Sequence, residues 1–317
     1  MSTQSKYVEA VYQYGSFSKA AKALYISQPA LSMAINNIEK ELEVQLFDRS
    51  TTPIKPTNAC KYYLSQMKKI SHIEEEISNH FKEHNDLQSG SFSIGSMTYY
   101  CCWTIPNLTR SFKEQYQNIK INMFEHTNND ALLENLKNGN LDLVLTTNHK
   151  GFENMQCTFV HHEHLILAVP SNWEICKKHK KIAFTAQQII HNDHRNTKRK
   201  GINLKEFENL PYISLRPDSD LYSRSLSIFQ HYHTEASYEM YVDQMITEYF
   251  MTKNGYGYSI IRDGTVNIIP QESNSEHPEV LYFILDDPLA IRDLNFYYRD
   301  KEYLNVASKK FLSQFED

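Results

Sequence analysis

The spacing of apolar residues across Ser16–Leu42 constrains this chain more than any other feature. A first apolar stripe within Ala20–Leu24 is interrupted at Tyr25, and the pattern restarts at Ser27. Serine accepts an otherwise unpaired N–H at a helix start, and Pro29 is tolerated in the first turn that follows. From there apolar residues recur at intervals of three and four, at Leu31, Ala34, Ile35, Ile38 and Leu42. The spacing predicts two helices joined by a tight turn.

The other face of the second helix carries mostly hydrogen-bonding side chains, namely Gln28, Ser32, Met33, Asn36, Asn37 and Lys40. A short helix, a tight turn and a second helix with such an outward row are typical of a helix-turn-helix whose second helix enters a DNA major groove. Two ordinary packed helices with a solvated polar face would give the same pattern. The pattern alone leaves both interpretations open.

A longer set of residues decides between them, comprising Gly15-Ser16-Phe17, Ala20-Ala21, Leu24, Ser27 to Ser32, Ile35, Ile38-Glu39, Leu42 and Leu46 to Arg49. This set resembles the N-terminal signature of LysR-type transcriptional regulators. The resemblance implies a sequence-specific DNA-binding regulator that responds to a small-molecule effector. It also implies a homodimer, or a homotetramer on a bent, interrupted palindrome, with RNA polymerase as a further partner if the protein activates transcription.

The residues predicted to contact double-stranded DNA lie on the second helix and in the segment after it. They are Ser27, Gln28, Pro29, Ala30, Ser32, Met33, Asn36, Arg49, Ser50 and Lys55. Two prolines and a run of threonines between 51 and 57 predict an extended turn, the wing of a winged helix-turn-helix. Arg49, Ser50 and Lys55 would then reach phosphates or the minor groove. Arg49 could equally be a structural ion-pair partner for a helix carboxylate.

Two positions depart from the family's usual pattern. Glu43 stands where a glycine usually ends the recognition helix, so we expect a strained or differently capped turn. Met33 stands where a basic residue commonly follows the serine, so it could touch a thymine methyl in place of a phosphate. Both departures affect which bases are read, and they leave the DNA-binding prediction in place.

Charge and composition set further limits. The net charge is −5, while residues 1–60 hold six basic and five acidic residues, so useful DNA affinity is expected to need a dimer. No apolar run is long enough to span a membrane and no signal peptide is evident, which predicts a cytoplasmic protein without a membrane partner. The five cysteines form no CxxC pair and are expected to be reduced structural thiols.

We predict a multi-domain α/β protein in three parts. Residues 1–58 form the winged helix-turn-helix, 59–90 a linker and dimerisation helix, and 91–317 an effector-binding domain. A helix from Thr57 to about Asn85 carries an imperfect heptad seam, formed by Tyr63, Met67, Ile70, Ile73, Ile77 and Phe81. Its alternative is a helix that packs only on its own chain.

Strand and helix patterns alternate beyond residue 90, which favours an α/β domain with largely parallel strands. Strands are predicted over 92–95, 119–125, 141–145, 165–170, 212–215, 255–261, 280–285 and 294–299, and helices over 105–116, 131–138, 222–231, 242–252 and 304–315. Echoes such as Leu136 to Asp142 and Glu163 to Pro170 again resemble the LysR family, and imply a periplasmic-binding-protein-like domain of two α/β subdomains. Subdomain I would cover about 91–162 and 265–317, and subdomain II about 163–264.

Ligands of open α/β sheets bind at the carboxyl ends of strands. The candidate effector-binding residues at such ends are Ser96, Met97, Thr98, Thr146, Thr147, Ser214, Arg216 and Ser219. Hydroxyls and one guanidinium suit a small anion or carboxylate, although serine and threonine are also common in loops. No cofactor is predicted.

The histidines and the basic stretch 177–200 have structural as well as functional interpretations. His161, His162 and His164 lack converging partners, so no metal site is predicted. The basic stretch 177–200 is either a solvated surface or a second contact for nucleic acid or another partner. An α/β enzyme is disfavoured because no phosphate loop or catalytic motif is present. A small-molecule-binding module with a structural helix pair is the other alternative.

Overall fold

The structure is a computed structural model that describes residues 3–51, 53–82, 90–126, 128–195, 197–217, 219–269 and 279–316. The chain divides into two compact units. The first unit comprises Met1–Thr158 with Asn295–Asp317, and the second comprises Phe159–Leu294. No helix within the described ranges combines the length and the apolar character that a membrane span requires.

The N-terminal part of the first unit consists of four helices and a short hairpin. In chain order these are α1 (Thr3–Tyr14), α2 (Phe17–Ala23), α3 (Gln28–Glu41), β1 (Phe47–Asp48), β2 (Lys55–Pro56) and α4 (Asn58–Lys82). Leu31, Ile35 and Ile38 are buried on one face of α3, as the apolar spacing predicts. The last predicted residues of the linker helix, 83–85, lie outside the described residues.

Strands and helices alternate in the remainder of the chain. The elements are β3 (Gly90–Met97), α5 (Ile105–Gln115), β4 (Ile119–His126), α6 (Asn129–Lys137), β5 (Leu143–Thr146), β6 (Gln156–Pro170), α7 (Glu174–Lys178), α8 (Ala186–Ile190), β7 (Pro211–Leu215), α9 (Asp220–His231), β8 (Ser237–Val242), α10 (Met245–Lys253), β9 (Ser259–Arg262), α11 (Thr265–Ile268), β10 (Val280–Ile284), β11 (Ile291–Tyr298) and α12 (Val306–Leu312). A five-residue π-helix, Tyr100–Thr104, precedes α5.

The sheet of the first unit has β3 between β4 and β5, and both pairings are parallel. Asn295–Tyr297 of β11 pairs antiparallel with β5. Phenylalanines form much of the core against this sheet, and edge-on or tilted ring contacts link Phe92, Phe112, Phe296, Phe311 and Phe315. This packing holds the carboxyl ends of β3 and β5 side by side.

In the second unit, β6 pairs antiparallel with β9 and with β10, while β7 pairs parallel with β8. Buried tyrosines fill the core here. Tyr212 contacts the rings of Phe229 and Tyr258, and the hydroxyls of Tyr249 and Tyr282 lie 2.9 Å apart. This hydrogen bond offsets the cost of burying the phenols of Tyr249 and Tyr282.

Several details differ from the sequence predictions. The sheets are mixed and not largely parallel, because β6, β9, β10 and β11 make antiparallel pairs. The second unit extends to Leu294 and not to about residue 264, because Val280–Ile284 pairs with Ile166–Pro170 of the same unit. Strand β8 was missed, since its short alternation lies between two helical patterns with the exposed Tyr241 on it.

The cysteines are free thiols. Burial raises the pKa of the Cys60 and Cys176 thiols to about 12 and that of Cys101 to about 11. A thiol with such a pKa is almost entirely protonated at neutral pH and is a poor nucleophile. These three residues therefore act as small core residues, in agreement with the expectation of structural thiols.

A buried ionic network lies in the second unit. Asp263 accepts hydrogen bonds from His194 and Arg195, at 3.0 and 2.7 Å, and these partners outweigh burial and lower its pKa to about 2. The buried Arg292 pairs with Glu163, and its Nη1 lies 2.9 Å from Asp220. Burial lowers the pKa of the neighbouring His164 below its ordinary value. The network thus favours a charged Asp263 and an uncharged His164.

We expect acid to destabilise the second unit in two steps. Below about pH 6.5 the unfolded chain protonates His164 while the folded chain resists protonation, so stability falls as the pH drops. The stability that Asp263 contributes is lost only at lower pH, as the pH falls from the ordinary pKa of 3.8 to the folded-state pKa of about 2. Urea unfolding followed by Trp173 fluorescence in a Trp103→Phe background measures this. His164→Gln should reduce the change in the urea midpoint between pH 7 and pH 5. An unchanged pH dependence of the midpoint in this variant would refute the role of His164. His191→Gln, at an exposed position, is the control.

Candidate nucleic-acid interface and effector site

The helix-turn-helix is built from helix caps that the sequence predicts. The Ser16 hydroxyl accepts from the Lys19 N–H and the Ser27 hydroxyl accepts from the Ala30 N–H, so each helix begins at its serine. Gly15, at φ 55°, ends α1, and its carbonyl accepts from the Ile54 N–H at 3.0 Å. Packing of the hairpin on this turn leaves the Pro53 Cβ 3.2 Å from where a Gly15 side chain would start.

Both helices of the motif end in the same hydrogen-bonded turn. After α2, the N–H groups of Tyr25 and Ile26 donate to the carbonyls of Lys22 and Ala21; after α3, Glu43 and Val44 repeat the pattern. Such turns place one residue in the left-handed region, where glycine is usual. Here those residues are Tyr25, at φ 56°, and Glu43, at φ 55°. The expected strain at Glu43 is therefore present, and Tyr25 carries the same strain.

Replacing Glu43 by glycine should stabilise the N-terminal region. Relief of the left-handed conformation gains about 1–2 kcal/mol, and the added flexibility of glycine costs about 0.5–1 kcal/mol. The net gain of about 0.5–1 kcal/mol should slow amide hydrogen exchange in α1–α3 about two- to fivefold in the full-length protein. Tyr25→Gly should act similarly. Glu43→Ala keeps the Cβ and should give no gain, and equal protection in Ala and Gly variants would refute the strain argument.

The predicted DNA-contacting residues of α3 lie on its outer face. Gln28, Met33 and Asn36 are exposed, Met33 at 64% of its surface, while Ser32 is half-buried. Ser27, Pro29 and Ala30 are exposed at the start of the helix. The outer face therefore offers amides, a hydroxyl and a thioether to a partner.

The wing is the antiparallel pair β1 and β2, with Asp48 opposite Lys55. Arg49, Ser50 and Lys55 are all exposed on it. Ser50 bonds to the Asp48 carboxylate through its hydroxyl and its N–H, which lowers the pKa of Asp48. The Ser50 hydroxyl would have to leave this carboxylate in order to donate to a phosphate.

Glu39 connects the recognition helix to the wing. One carboxylate oxygen accepts from the N–H groups of Leu46 and Phe47, at 2.8 and 3.1 Å, and the other accepts from Arg49 at 2.7 Å. Arg49 also donates to the Asn36 side chain at 2.5 Å and lies over the Phe17 ring. The ion-pair interpretation of Arg49 is thus observed, and the guanidinium remains partly exposed.

The candidate effector residues of the first unit meet at one sheet edge. Ser96 and Met97 end β3, and Thr98 follows them; Thr146 ends the adjacent β5, with Thr147 next in sequence. The buried Ser96 donates to the Leu145 carbonyl at 2.5 Å, and Thr98 bonds to Glu125. Thr146 bonds to Asn129 at 3.3 Å. Glu125 and Asn129, at the end of β4 and the start of α6, were not among the predicted residues.

The candidates of the second unit follow β7. Ser214 is buried in that strand, Arg216 is exposed and donates to Asp243 at 2.5 Å, and the Ser219 hydroxyl accepts from the Leu221 N–H at the start of α9. The structure brings these three residues together at one strand end. An anionic ligand at Arg216 would compete with the Asp243 carboxylate.

The π-helix Tyr100–Thr104 begins three residues after the end of β3 and was not predicted. Short π-helical turns are rare and are frequent at functional sites. The turn brings the Cys101 thiol within 3.6 Å of the Ser96 carbonyl and 3.8 Å of the Phe124 carbonyl. No sequence pattern signals such a turn, because its apolar spacing is close to that of an ordinary helix.

Among the described residues, no group of three or more histidine, cysteine or acidic side chains is arranged to hold a metal ion. His162 and His164 flank the buried Glu163, whose carboxylate pairs with Arg292. His162 lies 2.8 Å from Asp293, and His194 bonds to Asp263. His194 therefore belongs to the ionic network of the second unit.

Two family matches together cover almost the whole chain. Residues 2–61 match "Bacterial regulatory helix-turn-helix protein, lysR family", and residues 85–317 match "LysR substrate binding domain". The chain belongs to the LysR family of transcriptional regulators. The winged helix-turn-helix and the α/β units described above are the two parts that these matches name.

Related proteins with assigned names align over part of their length. A "Probable RuBisCO transcriptional regulator" of Cyanidium caldarium is 34% identical over 142 residues, 45% of this chain and 44% of the relative. Another protein of that name, from Cyanophora paradoxa, is 29% identical over 177 residues, 55% of this chain and 54% of the relative. The LysR-family chain thus aligns with about half the length of these relatives.

Solved structures resemble the fold over nearly the full chain. The crystal structure of CbnR, a LysR family transcriptional regulator, has a TM-score of 0.62 at 18% identity and covers 99% of this chain and 97% of CbnR. Full-length CbnR complexed with its target DNA has a TM-score of 0.63 at 18% identity, and the match covers 99% of this chain and 98% of that chain. A full-length OxyR variant from Pseudomonas aeruginosa has a TM-score of 0.68 at 16% identity, and the match covers 99% of this chain and 94% of that chain. At these identities the likeness establishes the fold.

Proposed function

We propose that this protein is a cytoplasmic, sequence-specific DNA-binding transcription regulator that responds to a small-molecule effector. The observation that carries the proposal is the capped recognition helix α3, whose outer face exposes Gln28, Met33 and Asn36 beside an exposed wing. Amides read base edges by paired hydrogen bonds, and a methionine offers apolar contact to a thymine methyl. Family membership supports the same assignment for the whole chain.

The recognition helix and the wing take different parts in this proposal. Gln28 and Asn36 read bases, with Met33 between them; Arg49 and Lys55 contact phosphates. Arg49 donates to the Asn36 side-chain oxygen, and this bond restrains the rotation of that amide. The base-reading and phosphate-contacting groups are thus positioned as one unit.

Gln28→Ala should weaken binding to selected DNA by about 1–3 kcal/mol and leave non-specific binding unchanged, because only base contacts discriminate. Arg49→Ala should weaken binding to every duplex and reduce the salt slope by about 0.9. Gel shifts over a range of salt concentrations measure both, with DNA from upstream of the chain's own gene and an unrelated duplex. Absence of salt-sensitive, sequence-selective binding by the unaltered protein would refute the regulator proposal.

Glu39→Gln separates the two roles of Arg49. This variant breaks the ion pair but keeps the cation, so non-specific binding should persist if Arg49 contacts phosphate. If Arg49 acts only by holding the wing, Glu39→Gln and Arg49→Ala should lose affinity equally. That result would contradict the phosphate role.

We propose that α4 joins two copies of the chain. Its first turns pack into the N-terminal core through Cys60 and Leu64, while Ile70 and Ile73 of the predicted seam are 45% and 47% exposed. Two DNA-reading heads must be held at a fixed spacing to bind two half-sites. A pairing of α4 helices along this apolar face would provide that spacing.

Ile70→Glu combined with Ile73→Glu should convert the dimer to monomers, because burying two carboxylates in an apolar seam costs several kcal/mol. Analytical ultracentrifugation of the full-length protein without DNA measures the state. Lys61→Glu is the matched control, since Lys61 lies nine residues and two and a half turns from Ile70, on the opposite side of the helix. An unchanged dimer in the double variant would refute this interface.

Further exposed edges support a higher assembly. Among the described residues, β4 and β8 each have a paired neighbour on one side only. Met123 and Phe124 are exposed on β4, and Tyr241 is exposed on β8. Apolar edge strands are usually covered in the working protein. We therefore propose a homotetramer, with RNA polymerase as a further partner if the protein activates transcription.

We propose that the effector is a small anion. Each unit carries its own set of candidate residues, namely Ser96, Met97, Thr98, Thr146 and Thr147 in the first unit and Ser214, Arg216 and Ser219 in the second. The two sets lie at the carboxyl ends of β3, β5 and β7, where α/β folds place ligands. The same gel shift repeated with candidate carboxylates and phosphates tests this. A metabolite that changes DNA affinity in the unaltered protein but not in Arg216→Ala would support the assignment.

A further inference from the structure

The basic stretch of the second unit has no part in the proposed DNA-reading or effector sites. Residues 177–200 contain eight lysines and arginines and a single acidic residue, Asp193, in a chain whose net charge is −5. The eight cations are Lys177, Lys178, Lys180, Lys181, Arg195, Lys198, Arg199 and Lys200. Their contacts separate them into two groups.

Four of the cations are engaged within the fold. Lys177 pairs with Glu174 at 3.1 Å, Lys178 pairs with Glu206, and Arg195 pairs with Asp263 at 2.7 Å. Arg199 donates to the Ala183 carbonyl at 2.6 Å, and its guanidinium lies 4.4 Å from the centre of the Phe184 ring. The engaged cations hold this surface together.

The other four, Lys180, Lys181, Lys198 and Lys200, are exposed, and none is within ion-pair distance of a carboxylate in the described ranges. The contact of Arg199 with Ala183 brings the two lysine pairs into one region. Lys181 lies two residues before Ala183, and Lys198 and Lys200 are the neighbours of Arg199 in sequence. Because two residues of chain span at most about 7 Å, the backbone of each lysine is close to one end of this contact. The four lysines therefore lie in neighbouring segments, and the carboxylate next to them, Asp286, bonds to the Gly201 N–H at 2.8 Å and pairs with none of them.

The surroundings of these lysines are polar. No large apolar side chain is exposed between residues 171 and 205 of the described chain, and the exposed neutral residues there include Asn172, Thr185, Gln187 and Asn203. Protein interfaces usually have an apolar and aromatic core with few lysines. Phosphate groups need only cations and hydrogen-bond donors. The chemistry of this surface therefore suits a polyphosphate better than an acidic protein.

We propose that the lysine surface formed by Lys180, Lys181, Lys198 and Lys200 binds the phosphate backbone of double-stranded DNA outside the half-sites read by α3. The inference rests on the proposed function, which supplies the duplex. The DNA-reading head contributes little net charge, with six basic and five acidic residues in 1–60, and its Arg49 is paired with Glu39. A second basic surface would supply sequence-independent affinity that the head lacks.

The test replaces the four surface lysines by glutamine in the full-length protein. The matched control replaces four exposed lysines of the first unit, Lys120, Lys137, Lys150 and Lys310, and so changes the net charge equally. Binding is measured against salt on a long duplex carrying the upstream DNA. Because each neutralised phosphate contributes about 0.9 to the salt slope, the surface variant should lose about 2–4 from the slope and about tenfold or more in affinity.

One further variant and one further duplex make the outcome decisive. Lysine-to-arginine replacement of the same four residues keeps the charge and should restore the slope. A duplex trimmed to the selected site should show a much smaller difference between the surface variant and the control. A slope and affinity equal to those of the control on the long duplex would overturn this inference. If the unaltered protein shows no sequence-selective binding at all, the proposed function fails instead.

Discussion

One carboxylate fixes the geometry of the DNA-reading head. Glu39 lies on the last turn of the recognition helix, and its two oxygens bind the backbone where the wing begins and the guanidinium of Arg49. Leu46 and Phe47 are buried, so their N–H groups would otherwise lack partners, at a cost of about 1–3 kcal/mol each. The wing therefore cannot move independently of the helix, and phosphate-contacting and base-contacting groups keep a fixed separation.

Much of the architecture follows from local rules that a sequence displays. Ser16, Ser27 and Gly15 set the helix ends in the head, and the structure has them in those roles. The strand β5 was also predictable, because the apolar run Leu143-Val144-Leu145 followed by two threonines is typical of a buried strand that ends there. Glu43 departs from a family pattern, and the strain expected there is observed.

Features that depend on contacts far apart in sequence were not predictable. The pairing of Val280–Ile284 with β6, which sets the limit of the second unit, joins segments more than a hundred residues apart. The partner of Arg49 was not predictable for the same reason, since a guanidinium can pair either with a phosphate or with a carboxylate such as that of Glu39. Only the fold shows that the carboxylate is in reach. The effector candidates likewise use their hydroxyls and guanidinium internally, so an effector must replace bonds to Leu145, Glu125 or Asp243.

The paired left-handed turns at Tyr25 and Glu43 limit how this head can evolve. Each turn closes a helix through two backbone bonds to fixed positions, so α3 has a set length between the first turn and the wing. An inserted or deleted residue would rotate the outer face by about 100° and separate Glu39 from its three donors. New operator preferences can therefore arise by substitution at Gln28, Met33 or Asn36, whereas a change in the length of α3 would disrupt the head.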